Sequence, residues 1–121
     1  MDKGRIEKER KRLESLLDAA SIPQQVKNTL APLIENLSVM RIKLEEAAGR
    51  MADEPLVVSY DNGGGQTGIR ENPFFKSYLN LWRGFLAGYE KFTSYLPADL
   101  QEEERAGLSV LDKVRQMKGS A

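Results

Sequence analysis

A mainly α-helical fold, with long helices in an antiparallel helical-hairpin arrangement and a small β-hairpin inserted between them, is what the sequence predicts. Three observations predict it. Two long stretches place apolar residues alternately three and four apart, the spacing of one helix face. Between them, residues 56–73 abandon that period: they are β-branched and aromatic at first, then glycine-rich, and end on Asn72-Pro73. A chain of 121 residues suits one domain with a modest core, or helices that complete their core by oligomerising.

The first helix is expected over residues 2–20, with a stripe of Ile6, Leu13, Leu16, Leu17 and Ala20 that is sparse before Leu13. Its first twelve residues carry six cations, Lys3, Arg5, Lys8, Arg10, Lys11 and Arg12, against Asp2, Glu7 and Glu9. Two readings follow: an arm for nucleic acid or an acidic partner, or a solvated helix whose charges pair three and four residues apart. Ser21-Ile22-Pro23-Gln24 has the spacing of a capping box and predicts the start of the second helix at Ser21. From there Leu30, Leu33, Leu37, Met40, Leu44, Ala47 and Met51 form a seam that Val26 and Ile34 widen. Pro32 lies inside it and predicts a kink, or a short piece ending near Ala31.

Residues 56–60 favour extended backbone. Asn62-Gly63 is the dipeptide of a two-residue hairpin turn, while Gly63, Gly64 and Gly65 together predict a longer, looser tip. Gln66 to Arg70 return as a second strand. Asn72 then caps a third helix over residues 73–96, with Pro73 at its first position. Phe75, Tyr78, Trp82, Phe85, Tyr89, Phe92 and Leu96 hold the three-four spacing, and Phe74, Leu79, Leu81 and Leu86 broaden the face. A face that wide predicts burial by another subunit, with Phe75, Tyr78, Trp82, Phe85 and Tyr89 at the interface and Gly84 and Gly88 permitting close approach. After Pro97 comes an acidic stretch. Gly107-Leu108-Ser109 then predicts a break before a last amphipathic piece carrying Leu108, Leu111, Val114 and Met117, and residues 119–121 are expected to be loose. The organisation is a basic helix or arm (1–20), a helix–hairpin–helix core (21–97) and an acidic segment with a short helix (98–121).

Composition excludes much chemistry. Lys+Arg and Asp+Glu balance at 18 each, so any nucleic-acid affinity must come from local clustering. With no Cys and no His there are no disulfides, no thiol or imidazole nucleophile and no zinc site of the usual ligand sets. No apolar run approaches the roughly 18 residues that span a bilayer, so a soluble chain with no membrane partner is expected. The glycine run is not a phosphate loop: no Gly-Lys-Ser/Thr follows, and the next helix begins well beyond it. Arg70-Glu71 reads as one ion pair, and no catalytic carboxylate pair is evident. No catalytic residue, metal site or cofactor is expected, and the chain is not read as an enzyme.

Residues 56–73, with Asn62, Gly63, Gly64, Gly65, Gly68, Asn72 and Pro73 at their turns, are followed by Lys76, Tyr78, Leu81 and Trp82 and then by Leu96-Pro97. In this the chain resembles the small subunits of phage terminases, in particular a short helical group in which a helix, a glycine-bearing hairpin and an Asn-Pro-started helix succeed one another. The resemblance covers roughly residues 27–97. It implies a non-catalytic DNA-packaging protein of the host cytoplasm. Such a protein binds double-stranded viral DNA, forms a homo-oligomeric ring and presents the DNA to the large terminase subunit. The 55 residues before the hairpin are too few for a helix-turn-helix domain plus a long core helix. DNA contact is therefore expected through Lys3, Arg5, Lys8, Arg10, Lys11 and Arg12, or through Arg70 and the backbone of the glycine run. The alternative is a helical, oligomerising adaptor that binds protein only.

Overall fold

The structure, a computed structural model, describes residues 2–119 and the side chains of residues 2–108. Helices α1 (Lys3–Ala19), α2 (Gln24–Arg50), α3 (Pro73–Thr93) and α4 (Ala98–Gly119) form a mainly α fold, and a two-stranded sheet separates α2 from α3. Arg5 meets Glu45, and Lys27 meets Asp18, so α1 and α2 run antiparallel. Gly84 faces Met40 and Gly88 faces Leu37, so α3 runs antiparallel to α2 on its other side.

The α1–α2 corner departs from the expected capping box. Ser21 has φ +56, the left-handed conformation, and ends α1 rather than starting α2. Its N–H donates to Asp18 O, and the Ile22 N–H donates to Leu17 O, which satisfies the last carbonyls of α1 in the Schellman pattern. Helix α2 begins after Pro23 with no side-chain cap.

The same helix passes through Pro32 as one element. Proline removes one backbone hydrogen bond there, but Leu30 and Ile34 on either side of it are buried in the core, so packing overrides the local cost. Because α2 lies between α1 and α3, it is buried on two faces. Leu33, Leu37 and Met40 meet α3, whereas Ile42 lies beside Arg5 and Arg12 of α1. Ser38 is fully buried and donates its hydroxyl to Ile34 O at 2.8 Å. The single-seam expectation missed Ser38 and Ile42.

A 3-10 turn, Met51–Asp53, leads into β1 (Val57–Asp61), which pairs antiparallel with β2 (Thr67–Glu71) in the register Val57↔Glu71 to Asp61↔Thr67. The connection is five residues, the longer tip that Gly63, Gly64 and Gly65 predict and not the two-residue turn of Asn62-Gly63. Asn62 N–H donates to Gln66 O at 2.9 Å, and Gly63, Gly64 and Gly65 all have φ between +60 and +82. Three successive left-handed residues reverse the chain in a wide loop that only glycine adopts without cost. Nothing lies within 4 Å of where their side chains would start, so backbone conformation alone makes the demand. Gly68 is different. A Cβ there would fall 2.6–2.8 Å from the Tyr60 ring, which lies across it from the paired position on β1.

Asn72 locks the hairpin to α3. Its side chain accepts from Phe74 N–H at 3.0 Å as an N-cap and donates to Pro55 O at 2.7 Å and to Glu54 Oε2 at 3.1 Å. One buried amide thus joins both ends of the hairpin. Arg50 pairs with Glu54 at 2.7 Å and sits over the Phe74 ring, bracing the same junction.

The core comprises Leu13 and Leu17 from α1, Leu30, Ile34, Leu37 and Leu44 from α2, Phe85, Tyr89 and Phe92 from α3, and Leu96. Two expectations about α3 are corrected by it. Phe85 is 1% and Tyr89 3% exposed within the single chain, so that part of the wide face is covered by the chain's own helices. Gly84 and Gly88 admit side chains of α2, not another subunit. Phe75, Tyr78 and Trp82 remain partly exposed, and Leu79 and Leu86 are exposed beside them.

Helix α4 runs through Gly107 without the expected break. One glycine inside a helix costs only about 1 kcal/mol relative to alanine, too little to stop it. The side chains of Leu111, Val114 and Met117 in the expected stripe are not among those described, and Ser120 and Ala121 lie outside the described residues; Gly119, expected to be loose with them, is the last residue of α4.

Candidate functional site

The six cations expected to form a DNA-binding arm divide by residue type. Arg5 donates to Asp2 at 2.9 Å and to Glu45 of α2. Arg10 donates to Glu7 and, at 2.5 Å, to Glu14. Arg12 donates to Glu9 at 2.7 and 2.9 Å and to both oxygens of Glu104 at 2.9 and 3.0 Å. All three guanidinium groups are held above the ordinary arginine range, first by these hydrogen bonds to carboxylates. Lys3, Lys8 and Lys11 are exposed, and none of them makes a salt bridge among the described residues, although the charge of Lys11, after the bond from Arg10, helps to hold Glu7 ionised. Those lysines are the cations of the first helix that a polyanion can reach without displacing a partner.

Arg70 is exposed on β2, opposite Val58. The ion pair expected with Glu71 does not form. Adjacent residues of a strand point to opposite faces, so the two side chains diverge. The glycine loop lies at the far end of the hairpin, and Gly63 N–H is occupied by Asp61 Oδ1 at 2.8 Å.

Arg12 belongs to a polar cluster that sequence reasoning missed. Glu9 and Arg12 of α1, Arg41 of α2, Tyr89 of α3 and Glu104 of α4 meet at the end of the core. The Tyr89 hydroxyl donates to Glu104, which also accepts from Arg12; Arg41 lies 3.6 Å from Glu9. The side chains of Glu9 and Glu104 are 10% and 12% exposed, so Arg12 supplies the charge that makes their burial tolerable. Only the Glu9–Arg12 spacing is visible locally. Glu104 is 92 residues from Arg12, and no pattern of local spacing predicts that contact.

Burial, and then the bond to Glu104, push the Tyr89 hydroxyl up to about 12. An unfolded tyrosine ionises near about 10. The folded form therefore keeps a proton that the unfolded form loses, and this contribution to stability is complete below pH 10 and lost as pH rises to about 12. Thermal midpoints measured from pH 8 to 12 should fall through that interval. In Tyr89→Phe, which has no proton to lose there, the fall should be shallower.

Among the described residues, no group of three or more His, Cys, Asp or Glu side chains is placed to hold a metal ion, and no helix is long and apolar enough to cross a membrane. The chain matches no protein-family model, no curated protein and no solved structure.

Proposed function

We propose that this protein is a non-catalytic DNA-packaging adaptor of the small-terminase type. In that role it oligomerises, binds double-stranded viral DNA in the host cytoplasm and presents it to the large terminase subunit. The observation that carries the reading is the hairpin with its base. The residues on which the resemblance rests form one unit, in which three glycines reverse the chain, Tyr60 covers Gly68, and Asn72 ties both strand ends to α3. Partly exposed Phe75, Tyr78 and Trp82, with Leu79 and Leu86, supply the apolar surface for assembly.

DNA contact falls to Lys3, Lys8 and Lys11, with Arg70 as a second point. Contacts of this kind read phosphates, not bases, so affinity is weak per subunit, salt-dependent and multiplied by assembly. Changing the three lysines together to Gln should weaken binding equally for all sequences. Each lost phosphate contact removes about 0.9 from the log–log salt slope, so the slope should become shallower by up to about 3. All three are exposed and the charge of Lys11 acts only on exposed Glu7, so the thermal midpoint should move little. Gel-shift titrations at two salt concentrations measure this.

The protein-only adaptor has its own support: three of the seven expected DNA contacts are already engaged with carboxylates of the same chain. Wild-type protein that binds no DNA, or a triple variant that binds as wild type does, would make that the better reading.

A further inference from the structure

Among the described residues, those of the hairpin are mostly exposed. Leu56, Val57 and Ile69 are 76%, 54% and 74% exposed. Ladder parity decides which backbone groups are in use. Asn72 N–H donates to Leu56 O, and Asn62 N–H donates to Gln66 O, so the even-numbered residues form the hydrogen-bonded pairs. Residues 57, 59 and 61 on β1, and 67, 69 and 71 on β2, therefore aim their N–H and C=O groups outward. The sheet has only these two strands among the described residues, so both edges are open. An open edge that also carries exposed apolar side chains is a template for pairing.

We propose that the outer edge of β2 pairs with β2 of a second copy, antiparallel about a twofold axis at Ile69, to give a four-stranded intermolecular sheet. The side chains favour this pairing over the others. Ile69 meets Ile69 of the second copy, so the more exposed of the two exposed aliphatic side chains on the strands, Val57 and Ile69, covers itself. Thr67 stands opposite the second copy's Glu71, a hydroxyl against a carboxylate with no like charges facing. On the other face, Gly68 stands opposite the second copy's Arg70, whose guanidinium reaches the Tyr60 ring lying across that glycine.

Pairing β1 with β1 about Ser59 would instead set Val57 against Asp61. Pairing β2 with β1 of the next copy in the chain's own register would set Ile69 against a second serine. The twofold contact closes after two copies, so it adds to a ring rather than builds one. It does not rest on the packaging reading, since a protein-only adaptor carries the same edge.

The chain has no Cys, which makes the test direct. Facing Cα atoms of a hydrogen-bonded antiparallel pair lie about 5.5 Å apart, within disulfide range. Under mild oxidation at micromolar concentration, Ile69→Cys should become mostly disulfide-linked dimer and Ser59→Cys should not. A mixture of Thr67→Cys and Glu71→Cys should cross-link several-fold more than either alone, which reads the register. Adding Ile69→Pro to that pair removes an outward N–H that the hairpin does not use. It should reduce the cross-link several-fold with helix content unchanged. If Ile69→Cys dimerises no more than Ser59→Cys, or a mixture of the two cross-links better than Ile69→Cys alone, the twofold β2 contact is wrong.

Discussion

Phe85→Ala should lower stability by about 3–5 kcal/mol, the range for removing a fully buried aromatic side chain and leaving a cavity. For a chain of 121 residues this corresponds to roughly 4 °C of thermal midpoint per kcal/mol, hence about 12–20 °C in all. Phe85 is 1% exposed, its ring centroid is 5.2 Å from Tyr89 and 6.0 Å from Trp82, and the space it leaves is enclosed by other core side chains. The loss should be the same at two protein concentrations a hundredfold apart, because every group that buries Phe85 belongs to the same chain. A midpoint that recovers with concentration, together with a lower mass by light scattering, would mean that Phe85 is buried by another subunit after all.

Arg12→Gln should be nearly as damaging. Removing one partner of a buried pair leaves an uncompensated charge, and here, among the described residues, it leaves Glu104 with no cation and Glu9 with Arg41 alone, at 3.6 Å. The Arg12 side chain is itself 38% exposed, so water recovers part of the loss, and the expected cost is on the order of 2–4 kcal/mol. Urea denaturation measures it. Lys11→Gln, one residue away on the exposed face, should change stability by no more than about 0.5 kcal/mol. The contrast has a practical consequence for DNA work. Any variant that neutralises Arg12 along with the lysines confounds lost phosphate contact with lost fold. An equal effect of Arg12→Gln and Lys11→Gln on stability would show that the cluster is not structural.

The helices and the hairpin were legible because their signals are local. The three-four spacing across α2 and α3 is a property of one face of one helix, and it appears whether or not the partner is known. Asn72-Pro73 is likewise a local device, and it caps α3 as the spacing predicts. Errors arose where a local signal met a tertiary one. Ser21-Ile22-Pro23-Gln24 reads as a cap for the helix that follows, yet the turn is closed by carbonyls of the helix before it. Pro32 and Gly107 read as breaks, yet each costs a helix less than its packed or propagating neighbours contribute.

The candidate surfaces show the same division. Charge counted along the first twelve residues treats Lys8, Arg10, Lys11 and Arg12 alike. Folding does not, because α2 places Glu45 beside Arg5 and α4 places Glu104 beside Arg12, while the lysines project to solvent. The width of the α3 face predicts burial by another subunit, yet Phe85 and Tyr89 within it are buried by the same chain. Which helices cover it was not readable from that width.

The sequence by itself determined where most of the helical residues lie, that a glycine-reversed hairpin interrupts them, and that the chain has neither Cys nor His. Periodicity, turn chemistry and composition depend on neighbours a few residues away, so they survive without the fold. Only the tertiary structure decided that α2 is buried on two faces, that Phe85 and Tyr89 are internal, and that Arg12 is a structural cation and not a free one. Those outcomes depend on contacts between residues as far apart as Arg12 and Glu104, which no local spacing encodes.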